Sequence, residues 1–429
     1  MLEEAREVLS EYYGYPSFRK TQEIVIKSII KGDDTFAVMP TGSGKSICFQ
    51  VPALLLPGIT LVISPLISLM KDQVDKLNQI GIAATYINSS LNYREIKKRL
   101  LKISDYHYKL IYIAPERLKL HKFTRLLKKL EISLMAIDEA HCVSQWGHDF
   151  RPSYLQISDF INKLSVKPVV AAFTATATER VRSDTIELLN LKNPVVHVSG
   201  FDRENLFFSV INKNKKDKYL LRVLKKHIDQ PGIIYGATRK EVERIYKMLT
   251  DNSYSVGIYH AGLDDWERKQ NQELFYNDKI SIVVATNAFG MGIDKANVRY
   301  VIHYNMPRCI EAYYQEAGRA GRDGVPGECI LLFSQNDYCI QKYLIKRSGV
   351  NENIMAKRYS KLMEMYNYCN SEECLRKYIL KYFGEKNFSD NCDNCSNCRD
   401  EDILFDLTVI FKKTFIIFLT LYFLYYICY

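Results

Sequence analysis

Two short stretches hold residue types that could handle a triphosphate. Met39–Ser46 reads MPTGSGKS, a glycine-rich turn between an apolar run and a helical one. Backbone N–H groups in such a turn surround phosphate oxygens, and the N-terminus of the following helix adds its dipole. Lys45 would reach the β- and γ-phosphates, and the Ser46 hydroxyl would hold Mg²⁺. The strict pattern G-x-x-x-x-G-K-[ST] misses one position, because Met39 stands where the first glycine belongs. Taken alone, the segment is also what a flexible strand-to-helix turn looks like. The second stretch, LMAIDEAH (Leu134–His141), ends an apolar run in two carboxylates. Asp138 could hold Mg²⁺ directly or through water, and Glu139 could orient and deprotonate an attacking water. Either motif alone could be a solvated loop end. Together, each at a strand terminus, they specify a nucleoside triphosphatase.

A third constellation is sulfur. Cys374 is followed eighteen residues later by Cys392, Cys395 and Cys398, and four thiolates close a tetrahedral structural zinc site. Cys369 is a rival ligand by position. Five further cysteines, from Cys48 to Cys339, stand singly and read as small buried hydrophobes. The N-terminus, MLEEAREVLSEYYGY, is acidic and amphipathic and does not read as a secretory signal, so the cysteine cluster suggests metal before disulfides.

These groups need a scaffold, and the chain supplies one. Its 429 residues suggest two or three domains, with 47% hydrophobic and 25% charged residues, as in globular proteins. Short apolar runs alternate with helical stretches at Thr35–Met39, Thr60–Ser64, Leu110–Ala114, Leu134–Asp138 and Val169–Phe173. A second series follows at Gly232–Gly236, Ser255–Tyr259, Ser281–Thr286 and Tyr300–Tyr304. Such runs read as buried parallel strands of α/β sheets. Beyond about residue 340 the pattern is charged and helical. The formal net charge of +10 favours a polyanionic partner, although many basic proteins bind no nucleic acid.

DEAH after this variant phosphate loop, with a second α/β series behind it, resembles superfamily 2 helicases. The segments GYPSFRKTQ (Gly14–Gln22), SPLISLMKDQV (Ser64–Val74), AHCVSQWGHDFRPSY (Ala140–Tyr154), AFTATA (Ala172–Ala177), ATNAFGMGIDK (Ala285–Lys295) and YYQEAGRAGRDG (Tyr313–Gly324) narrow the resemblance to the RecQ family of DNA helicases. The resemblance implies two tandem RecA-like parallel-sheet domains, at 1–200 (ATP-binding) and 201–340, then a small, mainly helical zinc-binding module at 341–402. It implies that Tyr15, Arg19 and Gln22 hold the adenine. Thr41, Gly42, Ser43, Gly44, Lys45 and Ser46 would cradle the phosphates, with Mg²⁺ on Ser46 and Asp138. Asp138, Glu139 and Lys45 would act with Gln315, Arg319 and Arg322 of the last motif, Arg322 as the arginine finger. Gln145, Trp146, His148, Phe150 and Arg151 match the aromatic-rich loop that couples DNA to ATP hydrolysis. Trp146 and Phe150 offer faces for base stacking, worth about 1–3 kcal/mol per base. Zn²⁺ would sit on Cys374, Cys392, Cys395 and Cys398, with Cys369 outside.

The expected activity is ATP-dependent 3′-to-5′ DNA unwinding in repair and recombination, with ATP, Mg²⁺ and Zn²⁺ as cofactors. Single-stranded and forked DNA are the expected partners, with a single-strand-binding protein and repair factors as further candidates. A monomer is expected and a membrane is not. The expected location is the cytoplasm with its nucleoid in a bacterium, or the nucleus in a eukaryote. Most relatives continue into a winged helix and many into a further helical domain, whereas the apolar tail 403–429 resembles neither. A shifted reading frame or early stop, a membrane anchor and a packed helix compete as readings of it. The uncharged Thr414–Tyr429 spans about 24 Å as a helix, against a bilayer core near 30 Å. The alternative function is a DNA-stimulated ATPase, or a DNA-binding or annealing protein, that unwinds weakly or not at all because the winged helix is missing.

Overall fold

The computed structural model describes residues 1–40, 42–212, 215–290 and 295–399. Thr41 and the apolar tail therefore lie outside the described residues. Seven strands build the first sheet: β1 Thr35–Val38, β2 Ile59–Ile63, β3 Ala84–Ile87, β4 Leu110–Ile113, β5 Ile132–Ile137, β6 Val169–Thr174 and β7 Val195–Val198. Six build the second: β8 Leu206–Asn212, β9 Gly232–Tyr235, β10 Val256–Tyr259, β11 Ile282–Ala285, β12 Tyr300–His303 and β13 Gly327–Phe333. The orders are β3-β4-β2-β5-β6-β1-β7 and β10-β11-β9-β12-β13-β8, and every pairing is parallel. Parallel strands need helical crossovers, which cover both faces and so demand apolar residues at every position. β1 shows this directly: Phe36 and Val38 join one core cluster, while Ala37 joins the cluster on the other face. β12 divides likewise, with Val301 on one face and Tyr300 and Ile302 on the other. Gly232 opens β9 because a Cβ there would stand 2.0 Å from the Tyr300 ring.

Each of the nine apolar runs read from the sequence is a strand to within a residue or two at its ends. Four strands lie outside them. β3 is diluted by Thr85 and Tyr86, and β7 is an edge strand with exposed valines. β8 carries Ser209, and the run of β13 cannot be told from a buried helix segment by periodicity. Of the five isolated cysteines, four are buried as expected, but Cys339 is exposed on the helix Gln335–Arg347. Among the described residues, no helix is long and apolar enough to cross a membrane.

The third unit packs helices Gln335–Arg347, Glu352–Cys369 and Leu375–Tyr382 ahead of the last cysteines. It docks on β8, the strand at the edge of the second sheet. The Ser396 N–H donates to the Phe208 carbonyl at 2.8 Å, giving an otherwise open edge a partner. Phe201, in the connection between the sheets, stacks on Phe383 with centroids 4.3 Å apart. Arg376 is buried and donates to Asp202 and to the carbonyls of Arg203 and Leu206. One guanidinium thus joins the third unit to the inter-sheet connection. Replacing Arg376 with methionine keeps the stem and strands those acceptors. The expected loss is about 2 kcal/mol, read as a lower denaturant midpoint; an unchanged midpoint would remove Arg376 from this role.

Candidate active site and nucleic-acid interface

The phosphate loop follows β1 and the Asp138–Glu139 pair follows β5, with β6 between them. Both therefore emerge at the carboxyl ends of parallel strands, roughly 10 Å apart at sheet spacing, where open α/β sheets form their crevices. The loop needs its glycines. Gly42 and Gly44 have φ of 81° and 79°, and a Cβ on Gly44 would lie 2.4 Å from the Gln22 amide nitrogen. Ser43 Oγ donates to the Pro40 carbonyl at 2.7 Å, and Ser46 leads into the helix Ile47–Leu55. Lys45 Nζ rests on the Met39 carbonyl at 3.2 Å. Burial lowers its pKa, while the Glu139 and Asp138 charges offset part of that.

Glu139 is buried and left-handed, with φ of 47°, at the start of a short 3₁₀ turn. Strained backbone of this kind is held in place by its surroundings. Here Tyr154 Oη donates to the Asp138 carbonyl at 2.9 Å, and His141 Nδ1 lies 2.8 Å from Thr174 Oγ1 and 3.3 Å from Glu139 Oε2. Burial pushes the His141 pKa down to about 4, so at neutral pH this contact involves a neutral imidazole. Burial also raises the Asp138 and Glu139 carboxyls, and Glu139 adds to the rise at Asp138. A bound cation would reverse that. The oxygen donors of Ser46 and Asp138 suit a hard ion such as Mg²⁺.

The second sheet closes on this pair. Gln315, in the helix Ile310–Ala317, donates from Nε2 to Glu139 Oε1 at 3.4 Å. Its Oε1 lies 3.2 Å from His148 Nε2, and His148 stacks on His141 with centroids 4.3 Å apart. Arg322 reaches the phosphate loop: a Cβ on Gly42 would stand 3.3 Å from Arg322 Cγ. Arg319 is buried, its guanidinium packs on Gly290, and among the described residues its Nε has no hydrogen-bond partner. Glu139 Oε2 likewise has no hydrogen-bond partner. Buried polar atoms left open in a cleft mark where a polar ligand or water completes the set. A triphosphate with its attacking water has that chemistry.

The adenine candidates are arranged differently from their expected use. Tyr15 is exposed, with its ring open to a ligand. Arg19 Nη1 donates to the Gly42 carbonyl at 3.1 Å. Gln22 donates to the carbonyls of Ser43 and Gly44, at 3.2 and 3.4 Å, and accepts the Arg19 N–H at 2.9 Å. Its amide holds the phosphate loop, so reading a base would require it to exchange these bonds.

In the aromatic loop, Trp146 is half-buried against the core rather than free. The Arg180 guanidinium carbon stands 3.1 Å from its ring centroid and Lys357 Nζ stands 4.1 Å away. Lys357 also donates to Gln145 Oε1 at 3.1 Å, from a helix 212 positions later. Arg151 is ion-paired with Asp149 at 3.0 Å and donates to the Pro65 carbonyl at 3.1 Å. Phe150 and His148 face a cavity between the loop and the other two units. His141, Thr174, Arg180 and Lys357 carried no assigned role in the sequence. The first two lie in recognised motifs, but nothing local marks the other two.

The four thiols of Cys374, Cys392, Cys395 and Cys398 lie within 4.8 Å of one another. Cys392 to Cys398 is 4.0 Å and Cys374 to Cys395 is 3.9 Å. Zinc–sulfur bonds near 2.3 Å at tetrahedral angles put sulfurs about 3.8 Å apart, so the set fits that ion. Cys369 is buried outside it. Cys395→Ser is expected to cut bound metal and to lower the melting temperature, since such sites contribute on the order of 10 kcal/mol in zinc-finger peptides. Unchanged metal content and stability would refute the site.

Comparison with known proteins adds three family matches: DEAD/DEAH box helicase over residues 19–184, helicase conserved C-terminal domain over 215–324, and RecQ zinc-binding over 335–399. The chain is 48% identical over 409 residues to the ATP-dependent DNA helicase RecQ of Bacillus subtilis (strain 168), covering 95% of this chain and 69% of that protein. It is 44% identical over 393 residues to the protein of that name from Pasteurella multocida (strain Pm70), covering 91% and 62%. Among solved structures, S. cerevisiae Dbp5 bound to RNA and ADP BeF3 shares the fold with a TM-score of 0.63 at 19% identity. That match covers 84% of this chain and 98% of Dbp5. The DUF1998 helicase MrfA bound to DNA and AMPPNP gives 0.64 at 20%, covering 91% and 58%.

Proposed function

The chain belongs to the RecQ family of helicases, and we propose that it couples ATP hydrolysis to 3′-to-5′ movement on single-stranded DNA and to duplex unwinding, in repair and recombination. The observation that carries this reading is the line Glu139–Gln315–His148. It joins the buried carboxylate after β5 to the aromatic loop through a side chain on a helix of the second sheet's unit.

In this reading the γ-phosphate sits between the phosphate loop and the two arginines of the second sheet. Lys45 leaves the Met39 carbonyl for the phosphate oxygens, and Glu139 takes the proton of the attacking water. Arg322 stabilises the charge that develops on the transferred group. Ser46 and Asp138 would hold Mg²⁺, which would supply charge neutralisation at the triphosphate. Tyr15 and Arg19 flank the adenine, and Gln22 joins them once its bonds to the loop are exchanged. Because the two halves of the site sit on different sheets, the triphosphate draws them together and hydrolysis loosens them. DNA bases would stack on Phe150 and on Trp146, where a base displaces Arg180 or Lys357 from the ring. A shift of the loop moves His148, and through Gln315 it alters the hold on Glu139.

One preparation tests this with hydrolysis assays, with and without single-stranded DNA, and with forks bearing 3′ or 5′ tails. Stimulated hydrolysis with opening of 3′-tailed substrates is expected. No stimulation would contradict the coupling, and a preference for 5′ tails would contradict the polarity. Arg322→Ala should slow turnover by about 10³ while DNA binding persists. Turnover within a factor of two of wild type would end the finger assignment.

A further inference from the structure

A cavity of about 280 Å³ opens where the aromatic loop, the carboxyl ends of β9 and β11 and the helices Gln335–Arg347 and Glu352–Cys369 meet. Four cations line it: Arg308, Lys357, Arg358 and Lys361. Two of them are already engaged. Lys361 is ion-paired with buried Glu311, and Lys357 holds Gln145 Oε1 and covers Trp146. Glu316, a carboxylate on the cavity wall, is held by His303 Nε2 at 2.9 Å. Asp149, whose charge reaches Arg358, is ion-paired with Arg151.

Arg308 and Arg358 remain. Among the described residues neither has a carboxylate within ion-pair distance. Arg358 donates to the Ser348 hydroxyl at 2.8 Å, and the Arg308 Nε is buried with no partner. Burial and the neighbouring Arg308 charge together pull the Arg358 pKa down. Two partly buried like charges without a counter-ion are costly. Guanidinium groups lining one cavity can donate to the oxygens of a phosphate.

We propose that this cavity is a phosphate site, with Arg308 and Arg358 as the ligands of the oxyanion. Gln145, His148 and Phe150 form its wall toward the aromatic loop, which favours the backbone of a bound DNA strand as the source of the phosphate. That source rests on the function proposed above; the alternative source is a free phosphate or a phosphorylated small molecule. Either way, an occupant would touch His148 and bias the line to Glu139.

The test uses the full chain and the double variant Arg308→Gln/Arg358→Gln. Binding of a 12-nucleotide oligothymidylate is followed by anisotropy over a salt series, and the melting temperature is followed with added inorganic phosphate. For a DNA phosphate, binding weakens and the log–log salt slope becomes shallower by about 0.7, the value for one phosphate on a single strand. An unchanged slope with loss of the phosphate-induced melting shift assigns the site to a free phosphate. If neither readout moves, the proposal is overturned. Should the double variant fail to fold, Arg358→Gln alone carries the same readouts with smaller changes, since among the described residues its guanidinium bonds only a surface serine. Wild-type hydrolysis measured alongside separates the two claims: unstimulated wild type refutes the coupling, while the phosphate readout still decides the cavity.

Discussion

Everything in this molecule depends on burying a carboxylate pair at the end of one sheet and closing it from another. Asp138 is half-buried and Glu139 buried, and this loss of water raises both carboxyls. The fold leaves that cost in place at the cleft and surrounds it with Lys45, Arg319 and Arg322. Cations from both sheets' units converge there, and among the described residues one oxygen of Glu139 has no hydrogen-bond partner. In the proposed function a triphosphate and its metal would satisfy these groups together, which would make closure of the cleft conditional on the ligand. Gln315 adds a neutral hydrogen-bonding bridge whose other end is His148. Burial keeps His148 well below its ordinary pKa, so the bridge ends on an uncharged ring that can move without moving charge.

Much of this was legible in the sequence, and the reason is locality. The phosphate loop and the DEAH stretch each place their donors within a few residues, and three of the four clustered thiols fall within seven, so spacing alone suggested a chemistry for each. The sheets were legible because parallel strands covered on both faces leave unbroken apolar runs. What was not legible depends on residues far apart in the chain. Trp146, flanked by Gln145, Gly147, His148 and Asp149, reads as an exposed stacking residue. Its faces are instead covered by Arg180 and by Lys357 from the third unit. The family resemblance casts Gln22 as a base-reading amide, and the structure adds that it donates to the Ser43 and Gly44 carbonyls of the glycine-rich loop. The pairing of Arg308 with Arg358 has no sequence signal, because one follows β12 and the other belongs to a helix in a different unit.

The third unit does more than carry cysteines. It covers the open edge of β8, and Arg376 secures the connection between the sheets. It also supplies Lys357 and Arg358 to the side of the aromatic loop. The metal site can therefore influence how DNA is gripped while lying outside the cleft, because it fixes the helices that present those cations.

The most direct test of the account is a double-mutant cycle between His148 and Gln315, read on hydrolysis stimulated by single-stranded DNA. If the loop acts on Glu139 through this contact, losing either residue removes the same step. The two losses should then fall short of additivity by about 1 kcal/mol or more. Fully additive losses would mean that DNA reaches the carboxylate by another route.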